Sequence, residues 1–576
     1  MLLPNRAWRL VLLFGLCVTL LLPQVTLYNL LHGQARRAAS PRFISRPLPA
    51  AQVGASDTPP HLQYPDPCGI RVANVFGSGM VIQRGRITRV WGWTGTTCSV
   101  DGHIVARDGS FVRGDISYLS SGRWVAAFPP QKESLRPVEL VFRTSSGANV
   151  TLSNVLIGDV FMCTGQSNIG SSGTSKKGES WSDVSIAVSL ETNLIDAPGV
   201  AQQPIRLFAT GQFDGWATSP LEELATPPFI AWADGGDTRK AALFSAVCYF
   251  MGRALTRETG ARIPIGLIEV AWGGSALQVW TTPATFSACA AQHPNGLPAN
   301  WVDVAPITPS CLFFSLLAPF QIADGKGMSM AGTIFYIGET NAFFQQDAFY
   351  ECAFVRAVED LRLAHDLAWV GTVSLAPWIP DSKFSPDWIP NFRDMQARAA
   401  AAAGVDIVIT SDLGDPLSHK GHIHPRRKSP IGERLAAAAL SSPLYSLPHP
   451  FTGPTYERAV RAPATPGRLA VIVYFSELSI GAQPLEFRPW DGQSASTRCP
   501  TDWNVDVKCC DWFALRVNRV WHNATPWLVE EGRALELSVS LAEGVVDATR
   551  FGRNIWPVHN FYNAAGLPMV PWQADL

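Results

Sequence analysis

Val155-Leu156-Ile157-Gly158-Asp159-Val160-Phe161-Met162-Cys163, followed after Thr164 by Gly165-Gln166-Ser167-Asn168, is the stretch on which the fold of this chain turns. The apolar run is too short and too sharply bounded for a typical helix, so it predicts a buried strand. Ser167 then falls on the turn leaving the strand's carboxyl end, where active sites collect in open α/β sheets. Taken alone, the tetrapeptide favours a serine that caps or turns the chain over one that reacts. The rest of the sequence has to decide.

Downstream of this strand, helical and strand patterns alternate. Leu243 to Gly260 has helical spacing, Ile263 to Ala271 and Gly332 to Ile337 read as buried strands, and Phe349 to His365 as an amphipathic helix. Trp369 to Leu375 is the next strand, Phe392 to Ala403 a helix closed by Gly404, and Val405 to Thr410 the last core strand. A further helix begins near Ser429-Pro430, with serine as the expected N-cap and proline at the first helical position. Such alternation implies an α/β protein, a mostly parallel sheet flanked by helices. Upstream, residues 72–76, 89–93, 123–128 and 138–142 are strand-like pieces between Gly-rich turns, which predict an N-terminal β-sandwich. From about Pro448 short strands return at 470–475, 513–517 and 535–539, a C-terminal β-rich module. The expected layout is a leader at 1–31, a stem at 32–67, a sandwich at 68–152, a catalytic domain at 153–447 and the β-rich module at 448–576.

With 576 residues, 47% of them hydrophobic, the chain is long enough for several folded cores. The formal charge of -1 argues against nucleic acid or an anionic membrane as a global partner. Arg6 and Arg9 precede the uncharged stretch Leu10 to Leu31, which reads as entry to the secretory pathway, by a cleaved signal peptide or as a retained anchor. Membrane contact is expected only through that segment, and a secreted, lysosomal or anchored lumenal location fits it. One of the 11 cysteines, Cys17, lies in the leader; the other ten suit disulfides, with Cys499, Cys509 and Cys510 expected to include a bridged pair. Asn149-Val150-Thr151 and Asn523-Ala524-Thr525 are glycosylation sequons.

An acyl-transfer serine enzyme requires a nucleophile, a base, and donors aimed at the developing oxyanion. Four strand-end stretches supply these residue types. Ser167 is the candidate nucleophile; Ile169 two positions later excludes a GxSxG elbow. Ala271-Trp272-Gly273-Gly274-Ser275 offers glycine backbone that approaches a ligand closely, or a plain tight turn. Tyr336-Ile337-Gly338-Glu339-Thr340-Asn341 offers the Asn341 amide, or turn chemistry. Ile423-His424-Pro425 offers His424 as general base. A metal reading of His419, His422 and His424 lacks carboxylate or Cys support.

These four stretches, in this order, resemble the sialate O-acetylesterase family of SGNH-type carbohydrate esterases. The similarity extends from Val72-Ala73-Asn74-Val75-Phe76 to Phe561-Tyr562-Asn563-Ala564-Ala565-Gly566-Leu567-Pro568, roughly residues 70 to 576. The resemblance implies an SGNH-hydrolase-like parallel sheet, Ser167 as nucleophile, His424 as base, and an oxyanion hole from the Ser167 and Gly274 N–H groups with the Asn341 side chain. It implies deacetylation of an O-acetylated carbohydrate, with O-acetylated sialic acid first among substrates and no cofactor. Acetylxylan or another acetyl-sugar, or a non-catalytic carbohydrate-binding role, stands as the alternative. Many SGNH enzymes carry an Asp three residues before the His, where this chain has Gly421; Asp412 and Asp415 are the nearest carboxylates, with Asp412 slightly favoured. Ile169 and Ile337 stand where the family usually has Met and often has Gln.

Overall fold

The computed structural model describes residues 68–119, 122–170, 204–211, 216–292, 308–322, 325–378, 387–415, 418, 421–463, 465–488, 513–557 and 559–576. The expected leader, the stem, and the Cys499, Cys509 and Cys510 cluster lie outside these residues. Among the described residues no helix is long and apolar enough to cross a membrane.

The predicted strand is longer than its apolar run: β1 spans Asn149–Gly165. Its first half alternates, with Leu152 buried between exposed Thr151 and Ser153, and pairs antiparallel with Ser134–Thr144. From Val155 onward every residue is buried. That switch from alternation to continuous apolar residues is what a strand requires when it passes from a half-solvated sheet into one covered on both faces. The expected boundary at 152/153 therefore falls inside one strand, and a single hydrophobic cluster runs from Val90, Trp91 and Trp124 of the amino-terminal strands to Phe335, Phe354 and Phe392.

The second half of β1 is central in the parallel sheet. It shares that sheet with β2 (Ile205–Ala209), β3 (Ile230–Asp234), β4 (Ile265–Ala271), β5 (Gly332–Tyr336), β6 (Trp369–Val373) and β7 (Asp406–Val408), in the order β3-β2-β4-β1-β5-β6-β7. Only the β2–β3 pair is antiparallel. Helix α1 (Ala246–Glu258) connects β3 to β4, α2 (Asp347–His365) β5 to β6 and α3 (Trp388–Ala403) β6 to β7, while α4 (Ser429–Ser441) follows β7. Ser245 caps α1 by accepting from the Cys248 N–H at 3.2 Å, and Gly404 ends α3 at φ 59°, as its lack of a Cβ allows. At α4 the structure corrects the expectation: Lys428, not Ser429, occupies the N-cap position, with no side-chain cap. Lysine is a poor cap by its chemistry, and the reason for its presence lies in the site.

The seven-stranded C-terminal sheet has its own core, including Val471, Phe513, Leu515 and Leu537. The strand expected at 72–76 shortens to Arg71–Val72, because Phe76 N–H turns back onto the Ala73 carbonyl. Disulfides join Cys68–Cys98, Cys163–Cys248 and Cys289–Cys352, and Cys311 is a buried thiol. Bridges of this kind are made and kept in an oxidising compartment, which puts the chain in the secretory pathway.

Candidate active site

Register brings the chemistry to one edge. Gly165, at the end of β1, lies opposite Ala271 of β4 and Tyr336 of β5, so the residues that follow each strand emerge side by side. Gly165 has φ 142°, and a Cβ there would lie 1.9 Å from the Tyr336 carbonyl oxygen. Glycine is therefore obligatory at the point where β1 breaks into the turn. Within Val155 to Gly170, Ser167 alone is not fully buried.

Ser167 Oγ and His424 Nε2 are 2.8 Å apart. They come together from residues 257 apart in sequence, through a loop fixed by short turns. Ser418 N–H donates to the Asp415 carbonyl, Gly421 N–H to Ser418, and His424 N–H to Gly421. Ser418 Oγ donates to the His424 carbonyl at 2.6 Å. Gly421, at the place of the carboxylate that many SGNH enzymes carry, sits at φ 84°. That left-handed turn suits glycine and disfavours an aspartate.

Each of the two candidate acids meets an arginine. Asp412 gives both oxygens to Arg434, at 2.8 and 2.6 Å, and both side chains are buried. Burial pushes the Asp412 carboxyl up, but the Arg434 guanidinium outweighs it and the net shift is downward. Asp415 accepts from the Arg426 backbone N–H at 3.1 Å and from its guanidinium at 2.5 and 2.9 Å. Since Arg426 is two residues beyond His424, Asp415 clips the base-bearing loop at its far side. His422 has its pKa lowered by burial despite the nearby Asp415 charge. No group of His, Cys, Asp and Glu fit to hold a metal ion occurs among the described residues.

The oxyanion candidates divide. Gly274 takes φ 70°, and among the described residues neither its N–H nor that of Ser167 is donated to an acceptor. An oxyanion hole requires backbone amides that are left to donate to the ligand. Asn341 behaves otherwise: it is fully buried, its Nδ2 donates to Gln278 at 2.8 Å and Gln346 at 3.0 Å, and its Oδ1 accepts from the Leu277 N–H at 2.9 Å. With both amide hydrogens engaged, it pins the Gly274 loop from behind.

Sequence reasoning missed Asn168, Glu339, Lys428, Arg434 and Trp556. Asn168 and Glu339 stand inside the quoted motifs, but their side-chain partners are up to 260 residues away. A Trp556 ring atom would lie 2.6 Å from a Cβ at Gly414, so the C-terminal module packs onto the loop between Asp412 and Asp415.

A serine-histidine contact stands at the carboxyl edge of a largely parallel sheet, and the comparisons with known proteins define the chain as a carbohydrate esterase. Residues 157–441 match the family model described as "Carbohydrate esterase, sialic acid-specific acetylesterase". Over that stretch the chain carries that family's domain. It is 24% identical to the sialate O-acetylesterases of Mus musculus and Homo sapiens, over 88% of its own length and 95% and 92% of theirs. A carbohydrate acetylesterase from Xanthomonas citri has the same fold, with a TM-score of 0.63 at 22% identity, over 88% of this chain and 99% of that one.

Proposed function

We propose that the chain removes O-acetyl groups from sialic acids through an acetyl-enzyme on Ser167, on an SGNH-type catalytic domain set between the sandwich and the C-terminal β-rich module. The observation that carries this reading is the 2.8 Å Ser167–His424 contact at the sheet edge. His424 takes the Ser167 proton as Oγ attacks the acetyl carbonyl, and the oxyanion is received by the Ser167 and Gly274 N–H groups. The sugar oxygen leaves with the proton that His424 returns. Water, deprotonated by His424, then attacks the acetyl-serine and releases acetate. Asp415, through Arg426, holds the loop of the base, and Asp412, through Arg434, braces the strand end before it. The relatives' names direct the substrate to O-acetylated sialic acid.

The test is acetate release from 9-O- and 4-O-acetyl sialic acids, acetylated xylan and an aryl acetate. Preference for the sialic acids supports the reading, and release from xylan alone redirects it to another acetyl-sugar. No release from any of them points to a binding protein.

A further inference from the structure

Asn168, next to the nucleophile, ties three strand-end loops together with one side chain. Its Oδ1 accepts from Lys428 Nζ at 2.6 Å. Its Nδ2 donates to Glu339 Oε1 at 2.6 Å and to the Ile423 carbonyl at 2.9 Å. All of this is buried: Asn168 is 3% exposed, Glu339 3% and Lys428 1%. A carboxamide suits the place because it offers one acceptor to a cation and two donors to anionic and neutral oxygens. The ammonium and the carboxylate polarise it in the same sense, which strengthens its donation to Ile423.

The positions are telling. Ile423 carries the peptide that leads into His424, so the 2.9 Å bond fixes the backbone from which the imidazole projects. Lys428 stands at the amino end of α4, where the helix dipole disfavours a cation, and gives the helix no side-chain cap. Helix chemistry therefore does not account for a buried lysine there. Glu339 Oε2 has no hydrogen-bond partner among the described residues, and burial pushes its carboxyl up against the opposing effects of Asn168 and Lys428. The Asn168 hydrogen bond, a backbone hydrogen bond and the Lys428 charge offset part of that burial.

We propose that Asn168, oriented between Lys428 and Glu339, is a positioning residue that holds His424 Nε2 at attacking distance from Ser167 Oγ. This rests on the assignment of Ser167 and His424 as nucleophile and base. Remote misplacement of a catalytic group by about 1 Å is worth about 10²-fold in rate.

The experiment uses a p-nitrophenyl alkylphosphonate on the full chain. Ser167 Oγ forms a bond to phosphorus, p-nitrophenolate leaves, and His424 takes the serine proton, so the rate reads the Ser–His alignment without sugar binding. Asn168→Leu is expected to lose about 10²-fold in phosphonylation and in kcat for p-nitrophenyl acetate, with KM little changed. Glu339→Gln keeps an acceptor for Nδ2 but loses the charge that polarises the amide, and is expected to react at a rate between the parent and Glu339→Leu, which falls with Asn168→Leu. Thermal midpoints are recorded for every variant. Parental rates in folded Asn168→Leu overturn the proposal, and so do equal rates for Glu339→Leu and Glu339→Gln if Asn168→Leu fails to fold. Parental labelling of Ser167→Ala would instead overturn the nucleophile assignment on which the proposal rests.

Discussion

Asp412→Asn distinguishes a structural carboxylate from a catalytic one. In the folded protein the carboxylate closes a two-pronged pair with Arg434, at 2.8 and 2.6 Å, with the two side chains only 6% and 8% exposed. Arg434 also donates to the Ile409 carbonyl, so it links the end of β7 to α4. Removing one partner of a buried, hydrogen-bonded ion pair costs about 3–5 kcal/mol, because the remaining charge stays buried. Asparagine still accepts one hydrogen bond, which puts the expected loss near the lower end, about 3 kcal/mol. The sign with pH follows from the lowered Asp412 pKa. Its contribution is present above the pKa of an unfolded aspartate and is lost as pH falls through the lower folded value, so the stability gap between parent and variant should close in acid. The assay is urea unfolding at neutral and acidic pH, together with acetate release per folded molecule. We expect a clearly lower urea midpoint at neutral pH, with kcat within about threefold of the parent. An unchanged midpoint with kcat down about 10⁴-fold, the cost of losing a triad aspartate, would refute the structural role and make Asp412 the orienting acid.

Gly421→Asp restores the residue that many SGNH enzymes carry before the histidine, yet here it forces an aspartate to φ 84°. It should lower kcat rather than raise it, and a gain in kcat would show that the loop re-forms around a new acid. Trp556→Ala empties a fully buried ring against Gly414 and should cost about 3–5 kcal/mol in thermal or urea unfolding. Because the Asp412–Asp415 loop loses its packing, kcat should fall as well; full activity in the folded variant would show that the C-terminal module leaves the site alone.

Much of the architecture is legible because local pattern suffices for it. The apolar runs that end at Gly165, Ala271 and Tyr336 have glycine at or within two residues of their ends, and Ser167 and Gly274 follow two of them directly. What escapes the sequence is set by contacts across hundreds of residues. The change from alternating to continuous burial inside Asn149–Gly165 leaves no break in the chain to mark a boundary. Asn341 has the right residue type for an oxyanion donor, but its orientation depends on Gln278 and Gln346. Lys428 reads as one more cation in Arg426-Arg427-Lys428, and only the fold turns it inward to Asn168. Asp412 and Asp415 cannot be ranked from sequence, because each is defined by the arginine it meets.

The most direct measurement of the central claim is acetate release from O-acetylated sialic acid by the parent protein, by Ser167→Ala and by His424→Ala. Parental release, with loss of at least about 10³-fold in both folded variants, is the expected result. Undiminished release by either variant would contradict the assignment of Ser167 and His424 as nucleophile and base.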